Sequence, residues 1–332
     1  MSQTLPLKPI EPDFVEKLVE TVDQRAAIGD VVDRVVEAGL RNVWFVGAGG
    51  SLICSDPAHY LLRRKADIPV FQLQSDELNC STPRLMGPGS LVVLASYTGT
   101  TKETVAAART AKAAGATVIA VAKEGSPLAE AVDVAFKGKS DLFELLVAYA
   151  ILERTGGDVD GALVAAGMAE LPKALRAAVE EADDDLRAIA ADLKDEPVTY
   201  VLGSGPSAAW AYGFAMCYLQ EMQWKHAAGF NTGEFFQGAF EVVDDTVPVL
   251  LWMGEDASRP MAERGRKFLE KYCAKARYVD VATLTLPGVP PELRPDVSPL
   301  VVGALASRLA QHYESVRGHD LEQRHYMFKV DY

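Results

Sequence analysis

Apolar and polar positions follow two different periods along the 332 residues of the chain. Short runs of β-branched and aromatic residues predict strands, and longer segments with apolar residues three and four positions apart predict helices. In the first half we expect strands at Asn42–Val46, Val70–Gln74, Leu91–Ala95, Thr117–Val121 and Val132–Phe136, with helices at Leu52–Lys65 and Thr101–Ala114. In the second half we expect strands at Val198–Leu202, Val247–Trp252 and Arg277–Val281, with helices at Ser207–Gln223, Arg259–Tyr272 and Pro299–Arg317.

Strands that alternate with helices are typical of parallel βαβ units. The pattern predicts an α/β fold of two doubly wound parallel-sheet subdomains in tandem, with flavodoxin-like layers. The expected domains are a first subdomain with N-terminal helices (1–155), a helical connection (156–196) and a second subdomain with a C-terminal tail (197–332). Val43–Ser51 and Thr199–Ser207 also align at two glycines and a serine, which favours an internal duplication.

The charge of the chain limits its partners. A formal net charge of −13 and a pI near 4.9 argue against nucleic acid and anionic membranes, so an anionic ligand needs local donors. The N-terminus has no secretory pattern, no apolar run is long enough to span a membrane, and the four cysteines match no ligand or disulfide pattern. We therefore expect a cytoplasmic protein without a metal site.

Two glycine-containing turns are candidates for ligand binding. Gly47–Leu52 lacks the third glycine of the dinucleotide fingerprint, which argues against a nucleotide cofactor. The second turn, Ser96–Glu103, follows a strand and opens a helix, where unpaired backbone N–H groups and several hydroxyls favour a phosphate or sulfonate. The alternative is an ordinary helix cap by Thr98 or Thr101.

Three motifs in this order resemble the SIS (sugar isomerase) family: Gly-x-Gly-x-Ser, Ser-x-Thr-Gly-Thr-Thr, and Gly233-Glu-Phe-Phe-Gln-Gly-Ala-Phe-Glu-Val-Val243. The last is most similar to the fructosamine-6-phosphate deglycases, and the chain also resembles the isomerase domain of glucosamine-6-phosphate synthase. The resemblance continues through Val247–Arg259 and into the tail from Arg324. It implies two SIS subdomains, no cofactor, no metal, a small anionic sugar as ligand, and a homodimer with shared active sites.

The resemblance also implies roles for individual residues. The substrate-binding residues would be Gly49, Gly50, Ser51, Ser96, Tyr97, Thr98, Thr101, Glu234 and Gln237, with the phosphate on the hydroxyls of the Ser96–Thr101 turn. The family's catalytic glutamate lies thirteen residues before the Gly-Glu motif, which corresponds to Glu221. Because its helix is mostly apolar, partial desolvation would raise the pKa of this carboxyl and suit it to act as a general base.

One position departs from the family pattern. The family has a catalytic histidine where this chain has Gln237, and glutamine cannot transfer a proton near neutral pH. Candidates to replace that histidine are His226, His319 and His325. Lys329 lies near the place where the synthase isomerase domain has a functional lysine.

The resemblance leaves three functions open. The leading one is a fructosamine-6-phosphate deglycase in which Glu221 moves a proton between C1 and C2. The alternatives are an aldose–ketose isomerase of a hexose 6-phosphate or 6-sulfonated hexose, and a non-catalytic sugar-phosphate sensor. Against the sensor, neither a helix-turn-helix segment nor a basic patch precedes the first half.

Overall fold

The structure is a computed structural model that describes residues 4–327 and 329–331. The chain divides into two compact units: the first comprises residues 13–172, and the second comprises residues up to Pro12 together with those from Lys173 onward. The boundary falls at Pro172, inside the helix Gly161–Leu193. That helix occupies most of the expected connection, 156–196, and the residues up to Pro12 are grouped with the second half of the chain.

The first unit contains a five-stranded parallel sheet in the order β2-β1-β3-β4-β5. Its strands are β1 (Asn42–Gly47), β2 (Val70–Gln74), β3 (Ser90–Ser96), β4 (Thr117–Ala122) and β5 (Val134–Phe136). Its helices are α1 (Phe14–Val22), α2 (Arg25–Glu37), α3 (Gly50–Cys54), α4 (Asp56–Lys65), α5 (Ser75–Cys80), α6 (Lys102–Ala113), α7 (Pro127–Ala131), α8 (Ser140–Thr155) and the start of α9 (Gly161–Leu193). Every residue of β1 and β3 is buried, as expected for central strands with continuous apolar runs.

The second unit contains a four-stranded parallel sheet in the order β7-β6-β8-β9. Its strands are β6 (Val198–Gly203), β7 (His226–Asn231), β8 (Val249–Met253) and β9 (Ala276–Asp280). Its helices are α10 (Ser207–Gly213), a π-helix (Phe214–Met222), α11 (Thr232–Phe235), α12 (Arg259–Tyr272) and α13 (Arg294–Arg317), with single 3₁₀ turns at Ala239–Val242, Val281–Thr283 and Pro291–Leu293. Trp252 on β8 is fully buried and packs edge-on against Phe214.

The two sheets share one topology. In each, the first strand lies between the second and the third, so β2-β1-β3-β4 corresponds to β7-β6-β8-β9. The aligned glycines of the two turns also share a positive φ, which is +55° at Gly49 and +52° at Gly205. Both values lie in the left-handed region that favours glycine. The predicted tandem of doubly wound sheets is confirmed.

The second unit departs from the sequence prediction in three places. The strand β7 was not predicted, because His226-Ala-Ala-Gly-Phe-Asn231 carries little strand propensity; it forms by pairing along the whole of β6. The predicted helix Ser207–Gln223 changes from α to π at Phe214. The last helix begins at Arg294, before its predicted start at Pro299.

None of the helices in the described part of the chain has both the length and the apolar character needed to span a bilayer.

Candidate functional site

The turn between β3 and α6 carries the hydroxyl groups that the sequence predicts for anion binding. Ser96 is buried, and its Oγ accepts a hydrogen bond from the backbone N–H of Gly99 (3.2 Å) and lies 3.1 Å from Thr101 Oγ1. Thr98 Oγ1 lies 2.8 Å from Thr100 Oγ1, and both threonines are exposed. Thr101 is the N-cap residue of α6, yet its side chain makes no capping hydrogen bond. A simple helix cap therefore does not account for the hydroxyl of Thr101.

The conformation of this turn depends on Gly99. Its φ is +68°, and a Cβ at this position would lie 2.0 Å from Ser126 Oγ. The Gly99 carbonyl also accepts a hydrogen bond from the Leu128 N–H at the start of α7 (3.0 Å). Tyr97, in the same turn, is 88% exposed. The contact with α7 thus holds the backbone of the turn in place, while the side chains of Tyr97, Thr98 and Thr100 are exposed to solvent.

The Gly49, Gly50 and Ser51 turn lies beside this hydroxyl-rich turn. β1 pairs in parallel with β3, with Val46 opposite Leu94, and the helix that follows β1 packs against β3. A Cβ at Gly49 or Gly50 would meet no atom within 4 Å, so the backbone here is open to a ligand. The structure therefore brings the predicted anion-binding residues of the first unit together at one edge of its sheet.

The matching edge of the second sheet has different chemistry. Asp256, which follows β8, is only 4% exposed, and its Oδ1 accepts a hydrogen bond from the Ser258 N–H (2.8 Å). A Cβ on Gly205, in the turn after β6, would lie 2.6 Å from that oxygen. The second sheet therefore places an acidic side chain at the edge where the first sheet places hydroxyl groups.

Glu221 lies in the last turn of the π-helix and lines a cavity of about 680 Å³ in the second unit. The described residues that line this cavity are Gln220, Glu221, Trp224, Lys225, His226, Arg324, His325, Tyr326 and Met327. The helix runs back from the carboxyl end of β6, so the cavity adjoins His226, the first residue of β7. The cavity therefore lies at the amino end of β7 and not at the carboxyl ends of the strands.

Glu221 pairs with a cation from the C-terminal tail. Its Oε1 lies 3.0 Å from Arg324 Nη2, and the two side chains are 24% and 11% exposed. Burial raises the pKa of Glu221 above its ordinary value, and the charge and hydrogen bond of Arg324 offset part of that rise. A carboxylate with a raised pKa is a stronger base, so the environment suits proton abstraction.

The candidate histidines differ in their relation to this cavity. His226 and His325 both line it, whereas His319 does not. The His319 ring lies edge-on to Trp224, with centroids 4.4 Å apart, and burial lowers the pKa of this imidazole. Its Nε2 is buried and has no hydrogen-bond partner among the described residues.

Three further residues of the sequence prediction, Lys329, Glu234 and Gln237, are not among the residues that line the cavity. Lys329 donates a hydrogen bond from Nζ to the carbonyl oxygen of Arg324 (2.5 Å). Glu234 and Gln237 are both exposed, at the short helix α11 and just after it, and Asn231 caps that helix by accepting a hydrogen bond from the Gly233 N–H (2.8 Å). The structure therefore does not bring Glu234 or Gln237 to Glu221 within the second unit.

Sequence reasoning assigned no role to several residues that line the cavity, among them Arg324, Trp224 and Lys225. Arg324 is separated from Glu221 by most of the second unit along the chain, so its pairing leaves no local signal. Trp224 has φ +52°, a strained conformation for a bulky residue that composition does not reveal. Lys225 is buried, which lowers its pKa to about 8, and its Nζ donates to the carbonyl oxygens of Lys194 (3.1 Å) and Glu196 (2.5 Å).

A buried carboxyl in the first unit was also missed. Glu144 on α8 is 1% exposed, and neither of its oxygens has a hydrogen-bond partner among the described residues. Burial raises its pKa well above the ordinary value, and the nearby Asp141 adds to this rise. The sequence of α8 shows a glutamate among apolar residues, but it does not show that this glutamate lies on a buried face of the helix.

Residues 4–327 and 329–331 contain no group of three or more His, Cys, Asp or Glu side chains that could hold a metal ion.

Comparison with known proteins connects these features to a family. The model of the SIS domain matches residues 39–141. The fructosamine deglycase of Bacillus subtilis is 32% identical over 323 residues, which cover 91% of this chain and 98% of that protein. The fructoselysine 6-phosphate deglycase of Escherichia coli is 24% identical over 304 residues, which cover 89% of this chain and 88% of that protein.

A solved structure agrees with the sequence matches. The crystal structure of a candidate phosphosugar isomerase from Salmonella typhimurium superimposes with a TM-score of 0.88 at 29% identity, covering 93% of this chain and 99% of that one. The match extends over both doubly wound sheets. The chain therefore belongs to the SIS domain family and is a sugar-phosphate enzyme of the SIS type.

Proposed function

We propose that the protein is a cofactor-independent fructosamine-6-phosphate deglycase in which Glu221 is the general base. The observation that carries this proposal is a half-buried carboxylate with a raised pKa on a cavity wall, in a chain similar over most of its length to a fructosamine deglycase. The hydroxyl-rich turn after β3 supports the choice of a substrate with an anionic group at C6, because hydroxyl and N–H donors bind tetrahedral anions.

The chemistry needs one proton to move between neighbouring carbons. The Glu221 carboxylate takes a proton from C1 of the ketoamine while O2 gains one, which gives an enaminol. Return of the proton to C2 and loss of the N–H proton give an imine at C1. Water then hydrolyses the imine to glucose 6-phosphate and the free amine. A single carboxylate can both remove and return the carbon-bound proton.

The substrate-binding residues of this proposal are those of the sequence prediction. Ser96, Thr98 and Thr101 hold the anionic group with the help of Ser51 and the open backbone at Gly49 and Gly50. Tyr97, Glu234 and Gln237 are the other proposed substrate-binding residues. His226, His319 and Lys329 are the proposed further catalytic candidates.

We also propose a homodimer with shared active sites, on the basis of the family resemblance. Light scattering coupled to size-exclusion chromatography tests this proposal directly. A mass of one chain at assay concentration together with full activity would contradict it.

The second candidate function is an aldose–ketose isomerase of a hexose 6-phosphate or a 6-sulfonated hexose. It is supported by the similarity to a candidate phosphosugar isomerase and by Lys329, which the structure ties to the backbone of Arg324, the partner of Glu221. Glu221 would then act through an enediol in place of an enaminol. The hydroxyl-rich turn, Ser96–Thr101, is compatible with a phosphate or with a sulfonate.

One experiment separates these functions. The protein is incubated in deuterated water with an N-alkyl fructosamine 6-phosphate, with fructose 6-phosphate and with 6-sulfofructose, and carbon-bound deuterium and free amine are measured. We expect amine release and glucose 6-phosphate from the first substrate. Deuterium exchange into fructose 6-phosphate or 6-sulfofructose, with no amine released from the fructosamine, would identify an isomerase. Binding of one of the three compounds without any deuterium exchange would identify a non-catalytic sensor.

Variants at two carboxylates test the base. Glu221→Gln should lower the turnover number by roughly 10²–10⁴-fold, the range typical of a lost general base. Glu270→Gln, at an exposed carboxylate that pairs with Arg266, should retain activity. Full activity in Glu221→Gln would refute the assignment.

A further inference from the structure

A second proton-transferring group is needed if the substrate enters as a ring, and this need rests on the proposed function. A ketose phosphate closes through O5 into a furanose, in which C2 has no carbonyl and the C1 proton is not acidic. Opening requires a proton on O5 while the hydroxyl on C2 loses its own. The Glu221 carboxylate must stay ionised to act as the base, so it cannot be the donor.

The cavity offers few groups for this task. Arginine does not act as a proton donor in proteins, and Arg324 already pairs with Glu221 (3.0 Å). Lys225 points its ammonium at the carbonyl oxygens of Lys194 and Glu196. Among the described cavity residues, His226 and His325 then carry the side chain that most often transfers protons in enzymes.

The two histidines are held differently. His325 follows Arg324, whose guanidinium touches Glu221, and its ring stacks on that of Trp224 with centroids 3.5 Å apart and planes 28° apart. Both histidines are exposed, but His226, the first residue of β7, makes no ring contact of this kind among the described residues. A ring fixed by stacking keeps one orientation toward the cavity, which is the condition for efficient proton transfer.

Trp224 itself is held in a strained conformation that serves this stack. Its φ of +52° places a bulky residue in the left-handed region, a strained conformation that the surrounding structure must stabilise. The His319 ring supports the same indole from its edge, with centroids 4.4 Å apart. The strained tryptophan thus connects the helix that carries Glu221 to the tail that carries His325.

We propose that His325 is the general acid–base residue that opens the sugar ring next to Glu221. The imidazolium N–H gives its proton to O5, the electron pair of the C2–O5 bond moves to O5, and the C2 hydroxyl loses its proton to water as the carbonyl forms. The neutral imidazole recovers a proton from water. Glu221 then acts on C1 of the open ketoamine.

The test compares a substrate that cyclises with one that cannot. An N-alkyl fructosamine 6-phosphate is assayed beside its 5-deoxy analogue, which lacks O5 and remains open. His325→Gln and His325→Phe should both lower kcat/KM for the cyclising substrate by roughly 10²–10⁴-fold and leave turnover of the open analogue nearly unchanged. His325→Phe retains an aromatic ring to stack on Trp224, so it separates proton transfer from packing.

Each other outcome overturns the assignment. Equal losses on both substrates would give His325 a structural role, as would retained activity in His325→Phe. A ring-specific loss in His226→Gln but not in His325→Gln would transfer the role to His226. If the wild-type protein turns over neither substrate, the proposed function itself fails, and the role of His325 fails with it.

Discussion

Replacement of Gly99 by alanine tests whether the hydroxyl-rich turn of the first unit is a built anion site. The structure offers a matched control, because Gly125 has the same φ of +68° but open space where a Cβ would lie. At Gly99 the new Cβ would lie 2.0 Å from Ser126 Oγ. The two variants therefore share the backbone penalty and differ in the steric one.

The sizes of the two effects follow from the contacts. Alanine in the left-handed region costs about 1–2 kcal/mol at either position. At Gly99, Ser126 must also move, although it is 6% exposed and its Oγ caps α7 by accepting a hydrogen bond from the Ala129 N–H (3.4 Å). Overpacking and a lost cap bring the cost of Gly99→Ala to about 3–5 kcal/mol. The melting temperatures of the two variants should then differ by about 5–10 °C.

Ligand binding gives the functional half of the test. Distortion of this turn should remove at least one hydrogen bond to a bound anion, worth about 1.5–3 kcal/mol, so calorimetry with inorganic phosphate should show at least a tenfold weaker affinity for Gly99→Ala. Gly125→Ala should bind as the wild type does. Equal stability losses in the two variants would refute the steric argument, and unchanged phosphate affinity in Gly99→Ala would refute the anion site.

Three further predictions concern other buried groups. Burial raises the pKa of Glu144 well above its ordinary value, so its contribution to stability is present below the unfolded pKa and is lost as pH rises through the folded pKa. The melting temperature of the wild type should therefore fall relative to that of Glu144→Gln as pH rises above the ordinary pKa of a glutamate. A constant difference, or the same trend for the exposed Glu130→Gln, would contradict this. Arg324 lowers the pKa of Glu221, so Arg324→Gln should move the acid limb of the pH profile of kcat/KM to higher pH. The control variant Arg266→Gln, at an exposed arginine, should not move it. An unchanged acid limb in Arg324→Gln would mean that the ion pair does not act on the base. Gly303→Ala would place a Cβ 2.4 Å from the buried indole of Trp210 and should lower the free energy of unfolding by about 1–3 kcal/mol, measured in a thermal melt. The control variant Gly50→Ala, where a Cβ meets open space, should not lower it. Unchanged stability of Gly303→Ala would show that the indole can move aside.

Sequence patterns predicted the fold where apolar runs carry the signal. The strands β1, β3 and β8 were expected because their residues are almost all apolar and end in glycine or serine turns. The strand β7 was not, since His226-Ala-Ala-Gly-Phe-Asn231 owes its conformation to β6 and to little in its own side chains. Local propensity cannot report such an edge strand.

Local features of the candidate site could also be predicted from the sequence, whereas contacts between distant segments could not. The hydroxyls of Ser96–Thr101 and the alignment of Glu221 are local features of the sequence and were predicted. The ion pair of Glu221 with Arg324 and the stack of Trp224 with His325 join segments far apart in the chain, so only the folded structure brings them together. Gln237 stood out in sequence as a departure from the family, and the structure places it exposed beside α11.

The π-helix Phe214–Met222 sets the direction in which Glu221 leaves its helix. Each turn of a π-helix closes over one residue more than an α-helical turn, so its side chains advance around the axis by smaller steps. If the same residues formed ordinary α-helical turns, the larger steps would accumulate along the segment and would turn the carboxylate away from Arg324 without changing any residue of the cavity. In a relative with a segment of the same length, an aligned glutamate would therefore point the same way only if the π-helical turns are kept, and the presence of the glutamate alone would not identify an active enzyme.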